Sequence, residues 1–288
     1  MKNIIVTGYH GQLGTAINRL FADDESLHLV NTDVEELDIT SVDAVLALAR
    51  EVKPYAIINC AAYTAVDAQE KDVDLSYRIN ALGPRNLSIA ATETGAKLVH
   101  ISTDYVFPGD SERPLTEFDP VGPKSVYGKT KLAGEQFVRD FAEHYYILRT
   151  AWLYGEGKNF VRTMLKLSET QDKITVVNDQ FGSPTSTEEL AKAIGALLPT
   201  DNYGLFHATC EGWTTWYDLT KEIFAQTNKS TAVLPVSSEE YAAAHPDAAP
   251  RPHYSILDNY MLRLTDAYQF APWQDALTRY LKQEQGIG

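Results

Sequence analysis

Five apolar runs, IIVT, LHLVN, AIIN, KLVHIS and YYILR, recur through the first half of the chain, each separated from the next by a stretch with helical spacing. Their apolar residues are continuous rather than alternating, the pattern of strands buried on both faces. The spacing predicts intervening helices near residues 12–22, 41–51, 73–95 and 125–143. Strands that alternate with helices in this way build a parallel sheet with helices packed on both sides. The expected fold is therefore α/β, a doubly wound parallel sheet.

The first run ends in GYHGQLG, which places Gly8, Gly11 and Gly14 around the start of a helix near Gln12. Glycines tighten such a turn and let the backbone approach a pyrophosphate, while the helix N-terminus offers free N–H groups and partial positive charge. Directly after an N-terminal strand, this predicts a Rossmann-type dinucleotide site. Asp33 follows the second run about twenty residues beyond the last glycine, the place of a carboxylate bonded to the adenosine ribose. An ordinary loop acid among Asp33, Glu35, Glu36 and Asp38 is the alternative. The cofactor is expected to be NADPH or NADH. Selecting NADPH takes a cation near the ribose phosphate, yet NTDVEELD contains no Lys or Arg. A carboxylate there repels a 2′-phosphate and accepts a bond from a free 2′-hydroxyl, so NADH is expected to serve at least comparably.

After Arg149 the segments ITVVN, LFHA and AVLPV alternate with shorter helices near residues 159–169, 187–198 and 215–226, broken by loops such as DQFGSPT and AHPDAAPRPH. The expected organisation is a dinucleotide-binding domain over residues 1–150. Residues 151–288 form a smaller, mainly substrate-binding region interleaved with the sheet.

A net charge of −14 argues against nucleic-acid or anionic-membrane partners, which need a basic surface. Any anionic ligand must then find a local basic pocket. Only Cys60 and Cys210 occur, so no disulfide framework is expected. The chain enters a strand at once, without a signal-like segment or a membrane-length apolar run, and the expected location is cytoplasmic. The seven histidines lack zinc-ligand spacing, and His100, within a strand, reads as a core residue. No metal site is expected.

Tyr127 and Lys131, in SVYGKTKLAGEQF, lie downstream of Ser102 and Thr103 at the end of KLVHIS. A phenol of ordinary pKa near ~10 is a weak acid unless a cation stabilises its anion. On a helix a lysine four residues on shares the tyrosine's face and supplies that cation, and a strand-end hydroxyl orients a carbonyl. This constellation predicts carbonyl reduction. Tyr154 with Lys158, and Tyr217 with Lys221, have the same spacing. The first pair lies in YGEGK, whose glycines argue against a helix, and no Ser/Thr-bearing strand end precedes the second.

With these motifs in view, the chain resembles the extended short-chain dehydrogenases/reductases and, within them, the dTDP-4-dehydrorhamnose reductase branch. The resemblance spans almost the whole chain and rests on GYHGQLG, NCAAYTAVDAQE, ISTDYVFPG, YGKTKLAGE, LRTAWLYG, NDQFGSPT, TTWYDL and RPHYS taken together. Dehydratases and 4-epimerases usually carry Thr-Asp-Glu-Val-Tyr at the strand end, whereas Tyr105 stands here at the Glu position. The resemblance implies catalytic roles for Thr103, Tyr127 and Lys131, with Lys131 also bonding the nicotinamide ribose. It implies cofactor contacts from Gly8, Gly11, Gln12, Leu13, Asp33, Asp38, Ile39, Ala61, Ala62, Tyr63, Tyr127 and Lys131. Asn80 would support the lysine and a relay water, or else be a helix-surface amide. Val66, Thr103, Asp104, Tyr105 and Trp152 would surround the sugar, although a tryptophan just past a strand is as often core. Asn159, Gln180 and Arg251 would face the nucleotide diphosphate, with Arg251 suited to a bidentate anion contact.

The implied reaction is reduction of the C4 carbonyl of dTDP-4-dehydro-L-rhamnose, with Tyr127 as proton donor and a nucleotide sugar as partner. Reduction of another nucleotide-linked 4-ketosugar, and a non-catalytic regulatory subunit on the same fold, are the alternatives. Tyr254 stands where many members carry Asn. Some members form metal-bridged dimers through a glutamate in the first helix, where this chain has Thr15 and Ala16. A monomer is accordingly favoured over a homodimer. Glu188 and Glu189 read as first-turn acids complementing a helix dipole.

Overall fold

The structure is a computed structural model that describes residues 1–284 and 286. Its centre is a six-stranded, all-parallel sheet of β1 (Lys2–Thr7), β2 (Leu27–Thr32), β3 (Ala56–Asn59), β4 (Lys97–Thr103), β5 (Tyr145–Thr150) and β6 (Gly204–His207). The strands lie side by side in the order β2-β1-β3-β4-β5-β6. Chain direction across the sheet reverses between β1 and β3, the position where open α/β sheets bind ligands.

The apolar runs of β1, β3, β4 and β5 become strands because both faces of each are covered. Ile4, Val6, Ile58, Val99 and Leu148 point to one side, where they pack with Leu13 and Ile17 of α1 (Gln12–Leu20) and Leu190 and Ile194 of α8 (Thr187–Leu197). Ile5, Ile57, Leu98 and Ile147 point to the other. There they meet Val45 of α2 (Val42–Val52), Leu87 of α5 (Gly83–Thr94) and Val138 of α6 (Val126–Phe141). Side-chain hydroxyls start several helices: Ser41 caps α2, Ser125 caps α6 and Ser186 caps α8, each accepting a first-turn N–H.

The helix expected over residues 73–95 is interrupted. A short α4 (Val73–Tyr77) passes through a π-helical turn, Arg78–Leu82, before α5 begins. Pro84 has no N–H to donate to the Asn80 carbonyl four residues back, and the ladder widens there. One turn earlier, α3 (Val66–Gln69) follows the loop after β3.

Beyond β5 the chain supplies α7 (Phe160–Ser168), α8, β6, α9 (Trp216–Gln226), α10 (Ser238–Ala244), α11 (Tyr260–Leu264) and α12 (Trp273–Glu284). Phe206 in the LFHA run joins the main sheet against β5. The runs ITVVN and AVLPV do not; they pair with each other as a separate parallel ladder, Lys173–Val177 with Ala232–Val236. No helix among the described residues is long and apolar enough to cross a membrane.

Candidate active site

Two adjoining cavities open at the carboxyl ends of β1, β3, β4 and β5. The smaller, about 540 Å³, is lined by Gly8, Gly11, Asp33, Asp38, Ile39, Ala61 and Ala62. The larger, about 840 Å³, shares Gly11, Ala61 and Ala62 with it. It continues past Gln12, Leu13, Val66, Thr103, Asp104, Tyr105, Tyr127 and Lys131 to Trp152, Asn159 and Arg251.

The glycine turn is shaped by contact with the neighbouring strand end. Gly8 has φ +65°, and a Cβ there would stand 2.8 Å from the Ala61 backbone. Gly11 is the N-cap of α1 and brings no side chain to the first-turn N–H groups, which leaves donors for an anion at the junction of the two cavities. This donor set fits a dinucleotide pyrophosphate. In the smaller cavity, Asp33 Oδ2 accepts the His10 backbone N–H at 3.4 Å and lies 3.5 Å from His10 Nδ1. Arg78, from the π-helical turn, lines the same cavity, and its guanidinium has no hydrogen-bond or ion-pair partner among the described residues. The segment NTDVEELD itself contains no such cation.

In the larger cavity β4 runs three residues past β3, since Asn59 pairs with His100, and this overhang carries Ser102 and Thr103 to the site. The two hydroxyls have different tasks. Ser102 donates to Glu135 at 2.6 Å, and Arg149 grips both oxygens of that same carboxylate at 2.8 and 2.7 Å. Thr103 donates to Asp104 Oδ1 at 2.9 Å and accepts the Tyr105 N–H at 3.2 Å. Asp104 Oδ2 is buried without a partner among the described residues. Burial raises the Asp104 carboxyl to about 6, against the opposing hydroxyls of Ser255 and Thr103.

Tyr127 and Lys131 lie one turn apart on α6 and both line this cavity. The ammonium is anchored to the Ile101 carbonyl at 2.5 Å. Burial lowers it to about 8, with the Glu135 charge acting in the opposite sense. Burial pushes the Tyr127 phenol up to about 12, opposed by the Thr103 hydroxyl. Desolvation thus outweighs the Thr103 hydroxyl, the expected lowering by Lys131 does not appear, and the phenol keeps its proton. The decoy pairs behave differently. Tyr154 is a buried strand residue, and Lys221 lies 4.9 Å above the Tyr217 ring with its side chain half exposed.

Four of the expected contact residues bond within the fold. Tyr63 and Asn80 line neither cavity: Asn80 bonds the Tyr63 backbone through both its oxygen and its nitrogen, at 2.9 and 3.0 Å, and so braces the loop after β3. It is 1% exposed, not a helix-surface amide, and its other bonds go to Gln69 and Thr130 rather than Lys131. Gln180 also lies outside, donating to Ser238 at 3.0 Å. Asn159 does line the larger cavity, yet its amide caps α7 and bonds the Gly155 carbonyl. Its polar atoms are already committed to the fold.

Trp152 does belong to the cavity wall. It has a left-handed backbone, φ +48°, and its indole stacks on Trp216 with centroids 3.5 Å apart. A non-glycine residue in that conformation is held there by its surroundings. Trp216 and Asp67, the latter paired to Arg251 at 3.1 Å, are further lining residues to which the motifs assign no role.

Comparison with known proteins agrees with this architecture. The family model described as the RmlD substrate binding domain matches residues 1–285. The Escherichia coli dTDP-4-dehydrorhamnose reductase is 37% identical over 98% of this chain and 97% of its own. A crystal structure of a dTDP-4-dehydrorhamnose reductase from Clostridium acetobutylicum superposes with a TM-score of 0.95 at 49% identity, covering 98% of this chain and 99% of that one. The Bacillus anthracis dTDP-4-dehydrorhamnose reductase, solved in complex with NADP, gives 0.94 at 43% identity with the same coverage. On a family match across nearly its whole length, this chain belongs to the dTDP-4-dehydrorhamnose reductase family.

Proposed function

We propose that the protein reduces the C4 carbonyl of dTDP-4-dehydro-L-rhamnose to give dTDP-L-rhamnose, using NADPH or NADH. The observation that carries this reading is the meeting of Thr103, Tyr127 and Lys131 in one cavity that runs on from the glycine turn. Residues 1–150 serve the cofactor and residues 151–288 mainly the sugar nucleotide, with Trp152 and Arg251 on the substrate side.

Gly8, Gly11, Gln12 and Leu13 would hold the cofactor pyrophosphate, Asp33, Asp38 and Ile39 its adenosine half, and Lys131 its nicotinamide ribose. When bound, the reduced nicotinamide supplies the hydride. Tyr127 holds the proton that the nascent C4 alkoxide takes up, and its raised pKa keeps that proton in place until charge develops on the substrate oxygen. Lys131 is an ammonium below about 8, so its positive charge then stabilises the tyrosinate left behind. Thr103 contributes a hydroxyl for orienting the carbonyl, and the stacked Trp152 and Trp216 form an apolar wall that excludes water beside it.

The test is a coupled assay of nicotinamide oxidation with dTDP-4-dehydro-L-rhamnose, set against other nucleotide-linked 4-ketosugars. Turnover should be fastest with the rhamnose precursor. Faster turnover of another sugar reassigns the substrate, and no turnover of any would favour a regulatory role on the same fold.

A further inference from the structure

Asp67 is out of place in a cleft that must admit a diphosphate. Its side chain, 53% exposed, lines the larger cavity together with Arg251. A carboxylate in that position repels an anionic ligand unless it is engaged in something else. Here it is engaged twice. Its Oδ2 accepts a hydrogen bond from Arg251 Nη2 at 3.1 Å, its Oδ1 lies 3.1 Å from Nη1 of the same end of the guanidinium, and Oδ1 also accepts the Ala249 backbone N–H at 2.9 Å.

The geometry of the guanidinium then matters. Arg251 has five N–H donors: Nη2 donates one to Asp67 Oδ2 at 3.1 Å, and Nη1 donates one to the Ala249 carbonyl at 3.3 Å while its charge lies 3.1 Å from Asp67 Oδ1. Nε and the second Nη2 hydrogen have no partner among the described residues. Those two form the side-on fork, which matches two oxygens of a phosphate. The arginine is thus gripped along one edge and free along the other.

The backbone around it is held as well. Pro250 and Pro252 flank Arg251 and restrict its backbone, and Lys71 reaches Asp247 at 3.4 Å, one turn beyond Asp67. The segment between residues 66 and 71 is therefore tied to the 247–251 segment at two points beside the cavity.

We propose that Asp67 is a positioning residue for diphosphate recognition: by holding the end of the Arg251 guanidinium it presents the Nε/Nη2 edge to the nucleotide diphosphate. The proposal rests on the reading of Arg251 as the diphosphate contact. Asp67 acts through Arg251 and touches no reacting atom, so its loss should appear in substrate KM and not in kcat.

The test uses the full chain, with dTDP lacking the sugar as the calorimetric probe and steady-state kinetics beside it. Arg251→Ala should raise the dTDP Kd and the sugar-nucleotide KM by roughly ten- to a hundredfold. Asp67→Ala should raise both by about tenfold, with kcat and the cofactor KM within about twofold of wild type. Asp67→Asn, which keeps an acceptor for Ala249, should fall between Asp67→Ala and wild type. The double variant should bind dTDP no worse than Arg251→Ala alone, as expected of two residues acting in series. Loss of binding in Arg251→Ala with none in Asp67→Ala overturns the role of Asp67 alone, and tighter binding in Asp67→Ala makes it a competitor of the diphosphate. An unchanged Kd in Arg251→Ala removes the diphosphate contact itself and the proposal with it.

Discussion

Lys131 Nζ lies 2.5 Å from the Ile101 carbonyl oxygen, so the cation on the same helix as Tyr127 is tied to the strand that ends in Thr103. With the Ser102–Glu135 bond it holds α6 against β4 at the site, and it is made by a group that burial lowers to about 8. Below about 8 both the folded and the unfolded chain hold the proton, and the cost of burying the charge is fully present. Between that value and the ordinary lysine pKa of ~10.4 the unfolded chain binds the proton and the folded chain does not. Stability must therefore rise with pH in that window. Relative to Lys131→Met, the cofactor-free wild type should gain about 1.4 kcal/mol per pH unit there, and nothing below it. Denaturant melts of both proteins across the window measure this. A constant difference would mean that Lys131 titrates at its ordinary value.

Tyr127→Phe should abolish hydride transfer while leaving cofactor affinity nearly intact. It removes a proton needed only as charge develops on the substrate oxygen, and little ground-state contact. Single-turnover kinetics and a cofactor titration separate the two effects. Near-normal transfer by Tyr127→Phe would sink the assignment.

Gly182 is pressed against the indole of Trp152. A Cβ added at Gly182 would stand 2.4 Å from Trp152 Cε2, and the stack on Trp216 leaves the ring little room to retreat. Gly182→Ala should therefore destabilise the protein by about 1–3 kcal/mol, the usual range for overpacking. It should also raise the sugar-nucleotide KM while sparing the cofactor KM. Thermal denaturation and the two KM values check this, and an unchanged substrate KM would remove Trp152 from the sugar pocket.

What was legible in the sequence is what local pattern controls. AIIN appears as β3 at the expected bounds because each of its residues is buried, and α6 starts where Ser125 offers a cap. Tyr127 and Lys131 could be placed because one helix carries both. The break at Arg78–Leu82 could have been foreseen from Pro84, and the cap role of Asn159 from its place before FVRTML. Asp67 and Arg251 meet across a separation of 184 residues, which no periodicity reports. The stack of Trp152 on Trp216 likewise depends on how α9 packs, not on the spacing of its residues.

The two acids opening α8 already have a counter-ion. Lys192 Nζ lies 2.6 Å from Glu188 and 3.2 Å from Glu189, and Glu189 also takes Arg279 at 2.9 Å. Nearby α1 presents Thr15 and Ala16 to the intervening cavity. A divalent cation would have to displace an ammonium to bind here. Added chelator should leave activity and sedimentation unchanged, and a shift in either would show that a metal bridges subunits.

Cofactor choice sets Asp33 against Arg78. Both line the cavity assigned to the adenosine half, and they pull in opposite directions: the carboxylate accepts a bond from a free 2′-hydroxyl, while the guanidinium attracts a 2′-phosphate. Asp33 is tethered to the glycine turn through the His10 backbone, whereas Arg78 is exposed and unpaired among the described residues. A tethered acceptor loses less conformational freedom on binding than a solvated arginine does. NADH should thus be used at least comparably to NADPH, although a relative was solved with NADP. Asp33→Ala should shift preference towards NADPH, and Arg78→Ala should weaken NADPH use alone. The deciding measurement is kcat/KM for both cofactors in wild type and both variants. A strong wild-type preference for NADPH that survives Asp33→Ala and collapses in Arg78→Ala would assign the choice to the arginine and remove Asp33 as the ribose ligand.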